Sequence, residues 1–118
     1  MNHSAWLVRS AAVATFFYIF ALLWAFLTPL SELPDVLQIS DYIWHIVLLA
    51  VLVIPLMTIV PKHSAKIAVA AIVFGTIVEF IQPSFGRGFE THDLLSNILG
   101  VGAGWFISRY IAAYFKPN

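Results

Sequence analysis

Cysteine is missing from this 118-residue sequence, and charged residues are scarce. The lack of cysteine excludes disulfides and thiolate chemistry. Six basic and six acidic residues balance, so the chain lacks the basic footprint that nucleic-acid binding requires. Charged residues make up 10% of the chain and hydrophobic residues 61%, whereas soluble domains have roughly 25% and about 45–50%. A small soluble domain could not bury so much apolar surface, so we expect one membrane domain over residues 1–118.

Long apolar runs predict an all-α polytopic membrane protein, with four transmembrane helices packed as a small bundle. The runs cover about residues 10–31, 42–60, 66–82 and 94–113. A helix of about 20 residues crosses a hydrocarbon core of about 30 Å. The first run exceeds the roughly 7–15 apolar residues of a secretory signal, so we interpret it as a retained helix. Three spans are the main alternative, because the third run is short.

The basic residues predict the orientation of the bundle. In a four-span arrangement, Arg87 is the only basic residue on one side of the membrane. The other side carries the remaining five: Arg9, Lys62, Lys66, Arg109 and Lys116. The positive-inside rule therefore places both termini in the cytoplasm.

Polar residues concentrate at the opposite, outer ends of the predicted helices. Residues three or four positions apart share a helix face, and four helix ends in one leaflet bring such faces together. We expect Glu79 to face the bundle and to pair with Arg87. The candidates for a ligand-binding or functional site are Asp41, His45, Glu79, Gln82, Arg87, Glu90, Asp93 and Asn97.

Structural explanations for these residues stay open. Asp41 and Asp93 are good N-cap residues for the second and fourth helices. A metal site joining His45 and His92 to the carboxylates has no local ligand spacing such as H-E-x-x-H, so the sequence predicts no metal and no cofactor. The G-x-S-x-G motif is missing, and whether the chain is an enzyme is left open.

Small residues are spaced for close helix packing. Gly100, Gly104 and Ser108 recur every four residues in the fourth helix, and Gly75 occupies a similar position in the third. Such stripes let membrane helices approach each other closely.

The joint spacing of these motifs resembles the VanZ-like family of small bacterial membrane proteins. The resemblance covers residues 41–107 and rests on an Asp/His pair, E-x2-Q, a loop Arg and D-x3-N-x2-G. Tyr42 departs from the Lys that many members have there. The resemblance implies a multi-pass protein of the bacterial cytoplasmic membrane with four or more helices. The family is named after a member linked to low-level teicoplanin resistance, and it supplies no reaction.

We therefore expect a site that binds or processes a cell-envelope component at the outer leaflet. Arg87 would contact a phosphate or carboxylate, while Glu79, Asp93 and His45 would orient the ligand or act as acid and base. The expected ligands are an anionic lipid headgroup, a lipid-linked wall precursor or a glycopeptide drug. The alternative is a non-catalytic interaction protein that docks another membrane protein through its Gly-rich helix. An ion carrier is disfavoured, because the first two spans are nearly free of charge.

Overall fold

A computed structural model describes residues 3–29, 32, 41–86 and 91–114. The regular secondary structure of these residues is entirely helical, which confirms the all-α prediction. Two short 3-10 helices, Pro61–His63 and Gln82–Phe85, extend the third α-helix at its two ends. The α-helices are α1 (His3–Leu27), α2 (Asp41–Ile59), α3 (Ser64–Ile81) and α4 (Thr91–Tyr114).

The helices begin and end at residues other than those of the predicted spans, because a charged residue does not by itself end a helix. The span 10–31 is wrong at both ends: α1 continues back through Arg9 and ends at Leu27. Thr28 precedes Pro29, and a residue before proline is disfavoured in helical conformation. At the other end of the bundle, α3 starts before Lys66 and α4 continues past Arg109. Long basic side chains can reach water from a helix end while the backbone stays helical.

Apolar length supports a membrane location for part of this fold. The segments Ala5–Leu27 and Pro61–Phe85 are long and apolar enough to cross a membrane. In α2 the apolar segment Ile43–Ile59 is shorter. The fourth helix is less apolar, since polar residues occupy its first two turns. Over the residues that the structure describes, the protein is therefore all-helical and has two candidate membrane spans.

The outer faces of all four helices carry large apolar side chains. Phe17 on α1 and Phe80 on α3 are each 66% exposed, and Phe106 on α4 is 76% exposed. In α2, Val51 is also exposed. Several polar side chains are instead buried, which is the reverse of the usual pattern in soluble proteins.

The packing of α2 against α4 is the most extensive in the bundle, and glycine makes it possible. A Cβ atom on Gly100 would lie 2.5 Å from the carbonyl oxygen of Ile46. One on Gly104 would lie 2.7 Å from the carbonyl oxygen of Ala50. Ser108 continues this face of α4, is buried, and donates a hydrogen bond to the Trp105 carbonyl. The backbones of α2 and α4 therefore come closer than any larger residue would allow.

A glycine-to-alanine pair on α4 tests this contact. We expect Gly100→Ala to lower the melting temperature, because overpacking costs roughly 1–3 kcal/mol and exceeds the gain in helix propensity of about 1 kcal/mol. Gly102→Ala is the matched control, since a Cβ there would meet nothing within 4 Å. Its melting temperature should be unchanged or slightly higher. Thermal unfolding of the detergent-purified protein measures both, and equal melting temperatures for the two variants would contradict the packing.

Candidate functional site

Three helices bring ionisable side chains together at one end of the bundle. His45 lies in the second turn of α2, between Glu79 near the end of α3 and Asp93 in the first turn of α4. Its Nε2 atom is 3.6 Å from Oε2 of Glu79. Its Nδ1 atom is 3.8 Å from Oδ1 of Asp93. Each imidazole nitrogen therefore faces a carboxylate from a different helix.

These groups are shielded from solvent. The exposed fraction is 1% for His45, 0% for Glu79 and 2% for Asp93. Two amide side chains next to them, Gln82 and Asn97, are equally buried. We call these five residues the polar cluster.

Helix periodicity explains why Asp93 and Asn97 of α4 join the cluster. Together with Gly100 and Gly104 they lie at spacings of four, three and four residues, which is one face of an α-helix. Since Gly100 and Gly104 pack against α2, the same face carries Asp93 and Asn97 toward it. In α3, Gly75 and Glu79 share a face in the same way, and a Cβ on Gly75 would lie 2.6 Å from Nδ2 of Asn97.

The ring of His45 is also fixed from one side by α1. It stacks on Phe26 with a centroid separation of 4.3 Å and an interplanar angle of 10°. The backbone of Phe26 contributes as well: Nε2 of Gln82 donates a hydrogen bond of 2.8 Å to its carbonyl oxygen. Phe26 lies in the last turn of α1, where carbonyls lack donors within the helix. Gln82 therefore closes the end of α1 and ties it to α3.

Sequence reasoning missed Phe26. It is one of ten phenylalanines and lies in a long uncharged run, so no motif separates it from the exposed phenylalanines of the same helix. Its position one turn before Pro29 is the single signal that could have placed it near the end of α1.

Two buried amides retain hydrogen-bonding capacity. Among the residues that the structure describes, neither Oδ1 nor Nδ2 of Asn97 has a hydrogen-bond partner, and Oε1 of Gln82 has none. A buried polar atom without a partner costs about 1–3 kcal/mol. Such atoms mark the cluster as a place where a further polar group would be stabilised.

The remaining predicted residues lie elsewhere or outside the description. Asp41 is the first residue of α2, and its side chain is not part of the described structure. Arg87 and Glu90 fall between the described residues Gly86 and Thr91, so the Glu79–Arg87 pair stays a prediction. His92 is exposed.

An N-cap role for Asp93 does not fit the observed helix. The sequence places the start of the fourth span at Leu94, whereas α4 begins at Thr91. Asp93 therefore lies inside the first turn, where its side chain is buried and faces His45 of α2. The N-cap interpretation of Asp93 is wrong for this reason. A carboxylate in the first turn is still favoured by the helix dipole.

An apolar cavity of about 210 Å³ lies between α1, α2 and α3. Its lining includes Ile19, Leu52 and Phe74, and it contains none of the polar cluster. The cavity is therefore separate from the ionisable side chains, and its lining is almost entirely apolar.

The hydrogen bond from Gln82 yields a stability prediction. We expect Gln82→Met to lower the melting temperature, because it removes a buried hydrogen bond to the Phe26 carbonyl, and such a bond contributes about 0.5–1.5 kcal/mol. Ser84→Ala is the control, since Ser84 lies exposed in the same short helix. Thermal unfolding in detergent compares the two. A Gln82→Met protein as stable as Ser84→Ala would contradict the role of this bond.

Comparison of the chain with protein-family models, curated proteins and solved structures finds no match. The resemblance to the VanZ-like family therefore rests on motif spacing alone.

Proposed function

We propose that this chain is a multi-pass protein of the bacterial cytoplasmic membrane whose four helices all cross the bilayer. Exposed apolar side chains on each helix, with polar side chains buried between them, support this proposal. In lipid such a surface is favourable, whereas in water it would promote association. The helical run through Arg109 makes α4 about 36 Å long, enough to cross a core of about 30 Å.

The proposed activity is binding or processing of a cell-envelope component at the extracytoplasmic end. The observation that carries it is the convergence of His45, Glu79 and Asp93 from three helices in a buried position. Ionisable groups in a membrane bundle are costly and mark functional sites by default. An imidazole held between two carboxylates can accept or donate a proton, or orient a polar ligand.

The anionic character of the ligand is inferred from Arg87 in the sequence. Its planar guanidinium suits phosphate and carboxylate groups. An anionic lipid headgroup or a lipid-linked wall precursor carries such groups, and both are found at the outer leaflet. Membership in the VanZ-like family and an effect on teicoplanin tolerance belong to the same proposal.

The packing of α4 does not favour the alternative, a non-catalytic protein that docks another membrane protein through its Gly-rich helix. Gly100 and Gly104 pack against Ile46 and Ala50 of the same chain, so this stripe is covered by α2. Docking of another membrane protein through the Gly-rich face would require α2 to be displaced.

The proposed topology can be tested with single cysteines, because the chain has none of its own. His63 and Ser84 are exposed residues in the connections at opposite ends of α3. In intact cells, a membrane-impermeant maleimide should label Ser84→Cys at once and His63→Cys only after the membrane is opened. Equal labelling of both positions, or the reverse order, would contradict the proposed orientation.

The proposed activity predicts that cluster carboxylates matter beyond folding. At matched protein abundance, Glu79→Gln and Asp93→Asn should reduce tolerance to teicoplanin to the level of cells without the protein. The neutral amides keep the shape of the side chain but remove the charge and the proton acceptor. Minimal inhibitory concentrations in an expressing host measure this effect.

His92→Gln serves as the control for these variants, since His92 is exposed at the start of α4. It should leave tolerance unchanged. Arg87→Ala tests the anion contact in the same assay and should behave like the cluster variants. If every variant retains full tolerance at normal abundance, the proposed activity is wrong.

A further inference from the structure

His45, Glu79 and Asp93 offer the donor atoms of a metal site. Each residue contributes one ligand atom, and the three atoms lie within 4.8 Å of one another. Two ligand atoms bound at about 2.1 Å with a tetrahedral angle are about 3.4 Å apart. The separation between Nε2 of His45 and Oε2 of Glu79 is 3.6 Å. The limit of 4.8 Å exceeds the ideal separation by about 1.4 Å.

The protonation chemistry of imidazole points to a cation between these groups. A neutral imidazole has one N–H and one lone pair. Because both ring nitrogens of His45 face carboxylate oxygens, the nitrogen with the lone pair always faces an acceptor. The lone pair and the carboxylate oxygen are both acceptors, and a metal ion between them would interact with both. Such an ion would bind the imidazole nitrogen through its lone pair and the carboxylates through their oxygens.

The buried amides are a second, independent feature of the same place. Asn97 lies one turn after Asp93, and Gln82 lies one turn after Glu79. Within the described part of the chain, both polar atoms of Asn97 and Oε1 of Gln82 lack hydrogen-bond partners. Amide groups around a metal site bind its ligands and its coordinated water. Their burial without partners in this cluster fits that role.

We propose that His45, Glu79 and Asp93 bind a divalent transition-metal ion through one imidazole nitrogen and one oxygen of each carboxylate. One nitrogen and two oxygen donors favour zinc, manganese or iron over calcium and magnesium, which take oxygen ligands. The ion would also place positive charge beside two buried carboxylates, which lowers the cost of burying them. This inference rests on the geometry of the three residues and not on the proposed envelope ligand.

The sequence predicted no metal because it contains no local ligand spacing. In the structure the three ligands come from α2, α3 and α4, so no local spacing is needed. Of the two histidines that the sequence offers for such a site, His92 is exposed and does not join the set.

The test uses the full chain purified in detergent with an affinity tag that contains no histidine. After dialysis against Zn²⁺ or Mn²⁺ and removal of free metal, mass spectrometry of the elements should find about one ion per chain. A chelator should lower the melting temperature, and the same metal should restore it. Glu79→Gln and Asp93→Asn should weaken metal affinity by at least about 100-fold.

His92→Gln and Glu32→Gln are matched controls, since both residues are exposed. They should bind metal as the unmodified chain does. Loss of metal in these controls, or equal metal in Glu79→Gln and the unmodified chain, would overturn the proposal. So would an unmodified chain that retains neither metal and shows no change in melting temperature. The measurement on the unmodified chain does not depend on the folding of any variant. A negative result would overturn the metal site but not the proposed envelope ligand, which the teicoplanin tolerance assay tests separately.

Discussion

The close approach of α2 and α4 at Gly100 and Gly104 sets the geometry on which the polar cluster depends. A single Cβ at either position would meet the backbone of α2 and push the helices apart. Leu49 packs against Gly100, and His45 lies one helical turn before Leu49 on the same face of α2. The contact between α2 and α4 at Gly100 therefore controls the distance between His45 and Asp93. Because Gly100 and Gly104 have no side chain, α2 and α4 approach closely in mid-helix. This approach sets the distance between His45 and Asp93 near the helix ends.

The cluster is costly to bury, and this cost explains its composition. Two carboxylates removed from water need positive charge close by. Protonation of His45, a guanidinium such as that of Arg87, and a bound metal ion are three ways to provide it. Helix packing alone does not require any of these groups, because apolar residues of similar volume would fill the same space at lower cost. Their presence between otherwise apolar helices is the observation on which the proposed binding site rests.

Much of this arrangement could be predicted from residue spacing. The i, i+4 relation of Asp93 and Asn97, continued by Gly100 and Gly104, is enough to indicate one helix face. The apolar runs predict four helices. The length of the first uncharged run, however, does not predict where α1 begins and ends. The contribution of Phe26 could not be predicted, because stacking on His45 depends on the rotation of α1 about its axis. The proposed metal ligands were considered in the sequence but not predicted as a metal site, because they come from three helices and no local spacing joins them.

The cluster acts as one unit only if its members are energetically coupled. A double-mutant cycle on the free energy of unfolding in detergent, with His45→Gln, Asp93→Asn and the double variant, measures that coupling. Residues in one buried network couple by about 0.5–3 kcal/mol, whereas distant residues add independently. The same cycle with His63→Gln, in the connection at the far end of α2, gives the additive reference. A coupling energy for His45 and Asp93 in the stated range would support the shared site, and additivity equal to that of His63 and Asp93 would contradict it.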